Sequence, residues 1–449
     1  MEGTGLAHSH IRKIHRSKKE VKRLKKLIAL VCAIVMFTAM SVAAYAEELV
    51  VMAGNWVETD LAKTELIEEF TKETGIKVRL EGYPHREMLQ VIEVQIGGGD
   101  STPDVYWVDS PLTASYAVRG RLAPLGQYFT DAQEQWTEAG IAAGSWQGEL
   151  YSAPFETSTQ VMFYNKDLFE LAGVEPPSAE PDERWTWEQV VDAAQKIQQA
   201  ANKDGVTKVW GLLLEQINRP YQLLPLPQSL GGGSGVSPDG LKASGYLNNA
   251  EWKKAASWYY DLFNTWKISP KGVGADQVFD QFLAGNAAMI VAGTWDIPKM
   301  ETDAEFEWGL AAHPYFEGGE PVTPTGSWHL GVNPNTKQMD AAIKFLRFMT
   351  CRDESIERRF KTVGQLVPSD VMFDVINKDD QYKVFPRNVY TLAAYELGQT
   401  AMVRPVTPGF LEWEDLVIKM FEDIRNGADP EKTLDQMASR IDRTLAKYR

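Results

Sequence analysis

A chain of 449 residues, 44% hydrophobic and 24% charged, is too long for one ordinary core, so two lobes are expected. A net charge of −15 argues against nucleic acid and anionic membrane as partners. Two cysteines, Cys32 and Cys351, exclude a disulfide scaffold.

The first 46 residues read as a secretory signal. A basic run from Arg12 to Lys26 precedes an apolar stretch from Leu27 to Ala44, and Ala44-Tyr45-Ala46 fits a small-x-small cleavage site. The alternative is an uncleaved anchor, since about 18 apolar residues just span a bilayer. Cys32 sits inside the apolar core, the wrong place for a lipid attachment site. Removing 1–46 takes away nine Lys/Arg and two Asp/Glu and leaves a mature net charge of −22, which suits a periplasmic or secreted protein. Cys351 is then alone and is expected as a small buried residue. All 14 tryptophans remain. That is more than a core needs, and indole faces match the apolar faces of pyranose rings.

In chain order, "ELVVMAGNW" reads as a strand entering a loop at Asn55 and Trp56. "DLAKTELIEEFTKETG" follows as one amphipathic helix, with Leu61, Leu66, Ile67 and Phe70 on a face and Gly75 as its stop. "IKVRLEGY" is a strand and "HREMLQVIEVQIGGG" a helix ending in glycines. "PDVYWVD" is a third strand, apolar on both faces, as in a parallel sheet. This β-α-β-α-β run predicts a doubly wound α/β lobe. Ligands in such sheets lie beyond the carboxyl ends of the strands, which puts Asp109 in a ligand's position.

A hairpin-like piece then leads through Glu156 to Gln160 into "VMFYN" and a helix closed by Gly173. A proline-rich loop caps the next helix through Thr186, with Glu188 and Gln189 in its first turn. Gly231 to Gly240 reads as a flexible surface linker. "VFDQFLAGNAAMIVAGTWDIP" is a helix, a turn, a strand and a loop carrying Trp295. "GSWHLGVN" places Trp328 immediately before a strand. Trp56, Trp295 and Trp328 at strand ends together exceed what packing predicts, though each alone reads equally as core or as ligand platform. From "DAAIKFLRFMT" onward the chain is mostly helical. Adjacent Tyr259 and Tyr260 fall on different helix faces, which favours packing over metal binding.

No nucleophile elbow, zincin or phosphate-loop motif occurs. His85, His313 and His329 lie beyond the signal without metal-ligand spacing, so no metal or cofactor is expected. Asp109 and Glu156 at strand-to-loop junctions leave one enzymatic alternative, a secreted hydrolase with paired carboxylates. Arg404, set among the prolines of "VRPVTP", either offers its planar fork to hydroxyls or makes an interlobe ion pair.

With these residues in view, the chain resembles the extracellular solute-binding proteins of ABC sugar importers, the family of the maltose-binding protein. The likeness runs over the mature chain through "FTKETGIKV", "GGGDSTPDVYWVD", "LAPLGQYF", "GELYSAPFETSTQVMFYNKDLFELAG", "WTWEQV", "FLAGNAAMIVAGTW", "AAIKFLRFMT" and "VGQLVPS". It implies a two-lobed periplasmic-binding-protein fold of type II, with crossings near Pro154–Gln160, near His313–Gly318 and after Thr350. Lobe one would be 47–157 with 317–350, and lobe two 158–316 with 351–449. The family's ligand residues map onto Asn55, Trp56, Asp109, Glu156, Trp295, Trp328, Gln365 and Arg404. The resemblance further implies a monomer that catalyses nothing. It binds a sugar or oligosaccharide, closes on it, and delivers it to the permease subunits of an ABC importer. The lack of a lipid attachment site favours a free periplasmic form. The segment "LLEQINRPYQLLPLPQSLGGGSG", where the family varies, holds Glu215, Arg219 and Tyr221 as specificity candidates without a place.

Overall fold

The computed structural model describes residues 48–203, 205–215, 219–274 and 277–449. The expected signal, with Cys32, lies outside them. Among the described residues no helix is long and apolar enough to cross a membrane, and no cluster of potential metal ligands occurs.

Two mixed sheets organise the chain as a two-lobed α/β protein. The first has five strands in the order Lys77–Tyr83, Glu48–Gly54, Val105–Asp109, Gly326–Val332, Ser152–Ser158. Its first three strands are parallel, and Gly326–Val332 runs antiparallel to its neighbours. The second sheet has the order Trp308–Ala311, Gln160–Asn165, Ala287–Gly293, Trp210–Leu214. Val105–Asp109 and Ala287–Gly293 are buried throughout, as continuous apolar runs require of central strands. Only Thr159 separates the last strand listed for the first sheet from Gln160–Asn165, so the chain steps from one sheet to the other there.

Local chemistry sets the helix ends. Thr186 accepts from the Gln189 backbone N–H while the Gln189 side chain accepts from the Thr186 N–H, a complete capping box. Gly75 and Gly173 end their helices in the left-handed conformation. The C-terminal helices Phe410–Arg425 and Pro430–Leu445 pack on Ala250–Asn264, where Phe421 meets Trp252 and Tyr259.

Several expectations need correction. The helix expected from Asp60 to Thr74 is two helices, Asn55–Thr64 and Leu66–Thr74, broken at Glu65 with φ 57°. Gly231–Gly240 is no slack linker: Gly232, Gly235, Val236 and Ser237 are buried, and Gly240 packs on the Val406 backbone. Cys351 is half-buried. Half of the 14 tryptophans serve packing: Trp107, Trp136, Trp187, Trp252, Trp258, Trp308 and Trp413 are buried in the core.

Candidate functional site

A cavity of about 470 Å3 opens between the carboxyl ends of the two sheets. On the first sheet one ladder position supplies three of its groups. Trp328 lies opposite Asp109 on one side and opposite Glu156 on the other, so the three side chains share a face. Trp328 is inside its strand rather than ahead of it. A bulge between Trp328 and His329 sits beside this row, as bulges next to sites commonly do.

Trp56 leans on Trp328 with ring centroids 5.4 Å apart, and His85 meets the same indole edge-on at 5.6 Å. His85 follows the strand Lys77–Tyr83 through Pro84, so the carboxyl-end rule that marked Asp109 would also have marked His85. Asn55 lies outside the lining. The strand runs to Gly54 and a helix starts at Asn55, so there is no loop to present both residues. Successive helix positions diverge, and only Trp56 lines the cavity.

The opposite wall carries Trp295 with Thr294 and Pro298, just past the strand Ala287–Gly293. Buried Glu215 holds this corner. Its Oε1 accepts from Trp295 Nε1 at 3.2 Å and its Oε2 from the Gly293 backbone N–H at 2.8 Å. Arg219 and Tyr221, unplaced by sequence, line the cavity with Arg404. Both guanidiniums lie over the Tyr221 ring, at 5.5 and 5.0 Å from its centroid.

Asp109 is not a free acceptor. Arg219 donates to its Oδ2 at 3.0 Å and Arg404 donates to its Oδ1. Of the two roles left open for Arg404, the ion pair is the one formed. Burial pushes the Asp109 carboxyl up, but Arg404 and Arg219 outweigh it and hold the group below the usual carboxylate range. Glu156 has the opposite balance. Burial raises it to about 7, only partly offset by Arg359 and by the Gln365 hydrogen bond. Asp296, beside Glu215, is raised to about 9 by burial and then by the Glu215 charge. Burial lowers His85, against the pull of Asp109.

The structure therefore brings Trp56, Asp109, Glu156, Trp295, Trp328, Gln365 and Arg404 to one cavity, and leaves Asn55 aside. Paired-carboxylate hydrolysis is not supported. It needs an accessible base or nucleophile beside an acid, and both oxygens of Asp109 accept from arginines.

The family model for bacterial extracellular solute-binding proteins matches residues 53–352. A probable ABC transporter-binding protein of Deinococcus radiodurans is 26% identical over 359 residues, covering 75% of this chain and 78% of that one. The sn-glycerol-3-phosphate-binding periplasmic protein of Escherichia coli K12 is 26% identical over 299 residues, covering 64% of this chain and 66% of its own. Among solved structures, an ABC substrate-binding protein from Listeria monocytogenes in complex with cycloalternan superposes with a TM-score of 0.76 at 25% identity. That match covers 89% of this chain and 99% of the other.

Proposed function

Because this chain belongs to the bacterial extracellular solute-binding proteins, we propose that it captures a sugar or oligosaccharide between its lobes and delivers it to the permease of an ABC importer. The observation that carries the sugar reading is the wall chemistry. Trp56 and Trp328 on one wall and Trp295 on the other offer apolar faces, while Glu156, Gln365 and Thr157 stand beside them as polar partners. Indole faces bury the C–H faces of a pyranose and the polar groups orient its hydroxyls. Lobe closure removes water and strengthens those contacts.

The lobes in this reading are 47–157 with 317–350, and 158–316 with 351–449, which agrees with how the strands divide between the two sheets. The helix Asp353–Val363 packs on Asn55–Thr64, and Glu69 pairs with Arg352 and Arg358, contacts that support a third crossing after Thr350. The mature protein works as a periplasmic or extracellular monomer after cleavage near Ala46, and returns its ligand unchanged. A glycerol-phosphate ligand is disfavoured because Arg219 and Arg404 are already engaged by carboxylates, both by Asp109 and Arg219 also by Glu414.

Thermal-shift titration with maltotriose, cycloalternan and sn-glycerol-3-phosphate tests this, with the ligand recovered and analysed afterwards. A ligand that binds the folded state raises the Tm by mass action. The expected result is a rise with a saccharide that is recovered intact. A rise with glycerol phosphate alone overturns the sugar class, and a cleaved saccharide overturns the transport reading.

A further inference from the structure

The two walls of the cavity carry the same local device. In the first sheet the strand Glu48–Gly54 ends on a glycine with Trp56 two residues on. In the second, Ala287–Gly293 ends on a glycine with Trp295 two residues on. Neither glycine is needed for its backbone. Gly54 has φ −65° and ψ 147°, and Gly293 has φ −75° and ψ 154°, extended values open to any residue. What each provides is room. A Cβ on Gly54 would lie 2.2 Å from Cη2 of Trp56, and a Cβ on Gly293 would lie 2.1 Å from Cζ2 of Trp295. Each indole occupies the space a side chain would otherwise take. The two rings are also exposed to nearly the same degree, 38% and 37%, and both line the cavity.

We propose that Gly54 and Gly293 are positioning residues of the binding site, paired seats that hold Trp56 and Trp295 in fixed poses, one on each wall. A ring folded onto a backbone seat loses few further rotamers when a ligand arrives, and that lowers the entropy lost on binding. Each seat has a second support. Trp56 rests on Trp328, and Trp295 is tied through Nε1 to Glu215. The pair of seats suits a ligand with apolar faces toward both walls, and this part rests on the saccharide reading above.

Gly54→Ala and Gly293→Ala test the seats, because each adds one methyl to a permitted backbone and displaces only the indole. In tryptophan-labelled protein each indole N–H gives its own resonance, assigned by Trp56→Phe and Trp295→Phe. The expected result is that Gly54→Ala moves the Trp56 resonance, Gly293→Ala moves that of Trp295, and the Tm stays near the parent's. Maltotriose affinity should fall about tenfold, the scale of a lost aromatic contact. Gly54→Ala should change nothing further in a Trp56→Ala background, which also regains the fold if the clash alone disturbs it. Unmoved indole resonances overturn the proposal, as does an equal affinity loss in the Trp56→Ala background. If maltotriose does not bind the parent chain, the saccharide reading is what fails, and the indole resonances alone decide the seats.

Discussion

Gln365 donates its amide N–H to Glu156 at 2.9 Å, and it can face that way only because its own oxygen is taken by Arg359 at 2.9 Å. Arg359 is buried, donates also to the carbonyls of Phe155 and Met349, and stacks on the Phe155 ring at 3.9 Å. The guanidinium thus fixes an amide, and the amide fixes an acid at the cavity wall. Arg359 lies behind the cavity lining, yet it determines which atom of Gln365 Glu156 meets.

The first prediction concerns pH. Glu156 is raised by burial from 4.5 to about 7, so the folded state favours its protonated form. That stabilisation is fully present below about pH 4.5 and is lost as pH rises through 7. Glu156→Gln stays neutral throughout. The Tm of the variant minus that of the parent should therefore grow between pH 5 and pH 8. A difference that stays flat over this range would show that Glu156 ionises normally.

Asp109 carries the second prediction. Its side chain and that of Arg404 are almost wholly buried, and Arg219 adds a second pair. Asp109→Asn removes the buried carboxylate that both guanidiniums share, leaving Arg219 its longer contact with Glu414 at 3.7 Å, and should lower stability by about 3 kcal/mol or more. Arg404→Met should destabilise the parent chain but be close to neutral once Asp109 is Asn, a coupling that chemical denaturation of the four proteins measures. Additive losses would mean that the two groups do not act on each other.

The strands were legible because burial writes itself into them. "VYWVD" and "AAMIVAG" are runs without a solvent face, and their carboxyl ends point to Asp109 and Trp295. What those ends touch was not legible. Arg219 meets Asp109 across 110 positions and Arg404 across 295, and no local pattern encodes partners that far apart. Asn55 was misplaced for the opposite reason. A strand that turns into a helix without an intervening residue resembles, in sequence, a strand that enters a loop. Tryptophan abundance also misled, because indoles such as Trp187 and Trp252 fill the core as readily as a ligand site.

Glu215 carries the last prediction. Its two oxygens accept from two different donors, Trp295 Nε1 and the Gly293 backbone N–H. A carboxylate can do both; an amide cannot, because its nitrogen would face one of them. Glu215→Gln should therefore release one of the two anchors of the Trp295 corner and weaken saccharide binding several-fold, while affinity remains above that of Trp295→Ala. The same change removes the charge that helps raise Asp296 to about 9. In the parent, the stabilisation tied to protonated Asp296 is fully present below about pH 3.8 and is lost as pH rises through 9. In Glu215→Gln that loss should shrink, because Asp296 then ionises at lower pH in the folded state. Calorimetric titration of the two variants and Tm profiles from pH 7 to pH 10 check both halves. If Glu215→Gln binds as the parent does, the clamp on Trp295 is idle; if its alkaline Tm profile matches the parent's, the two carboxyls are not coupled.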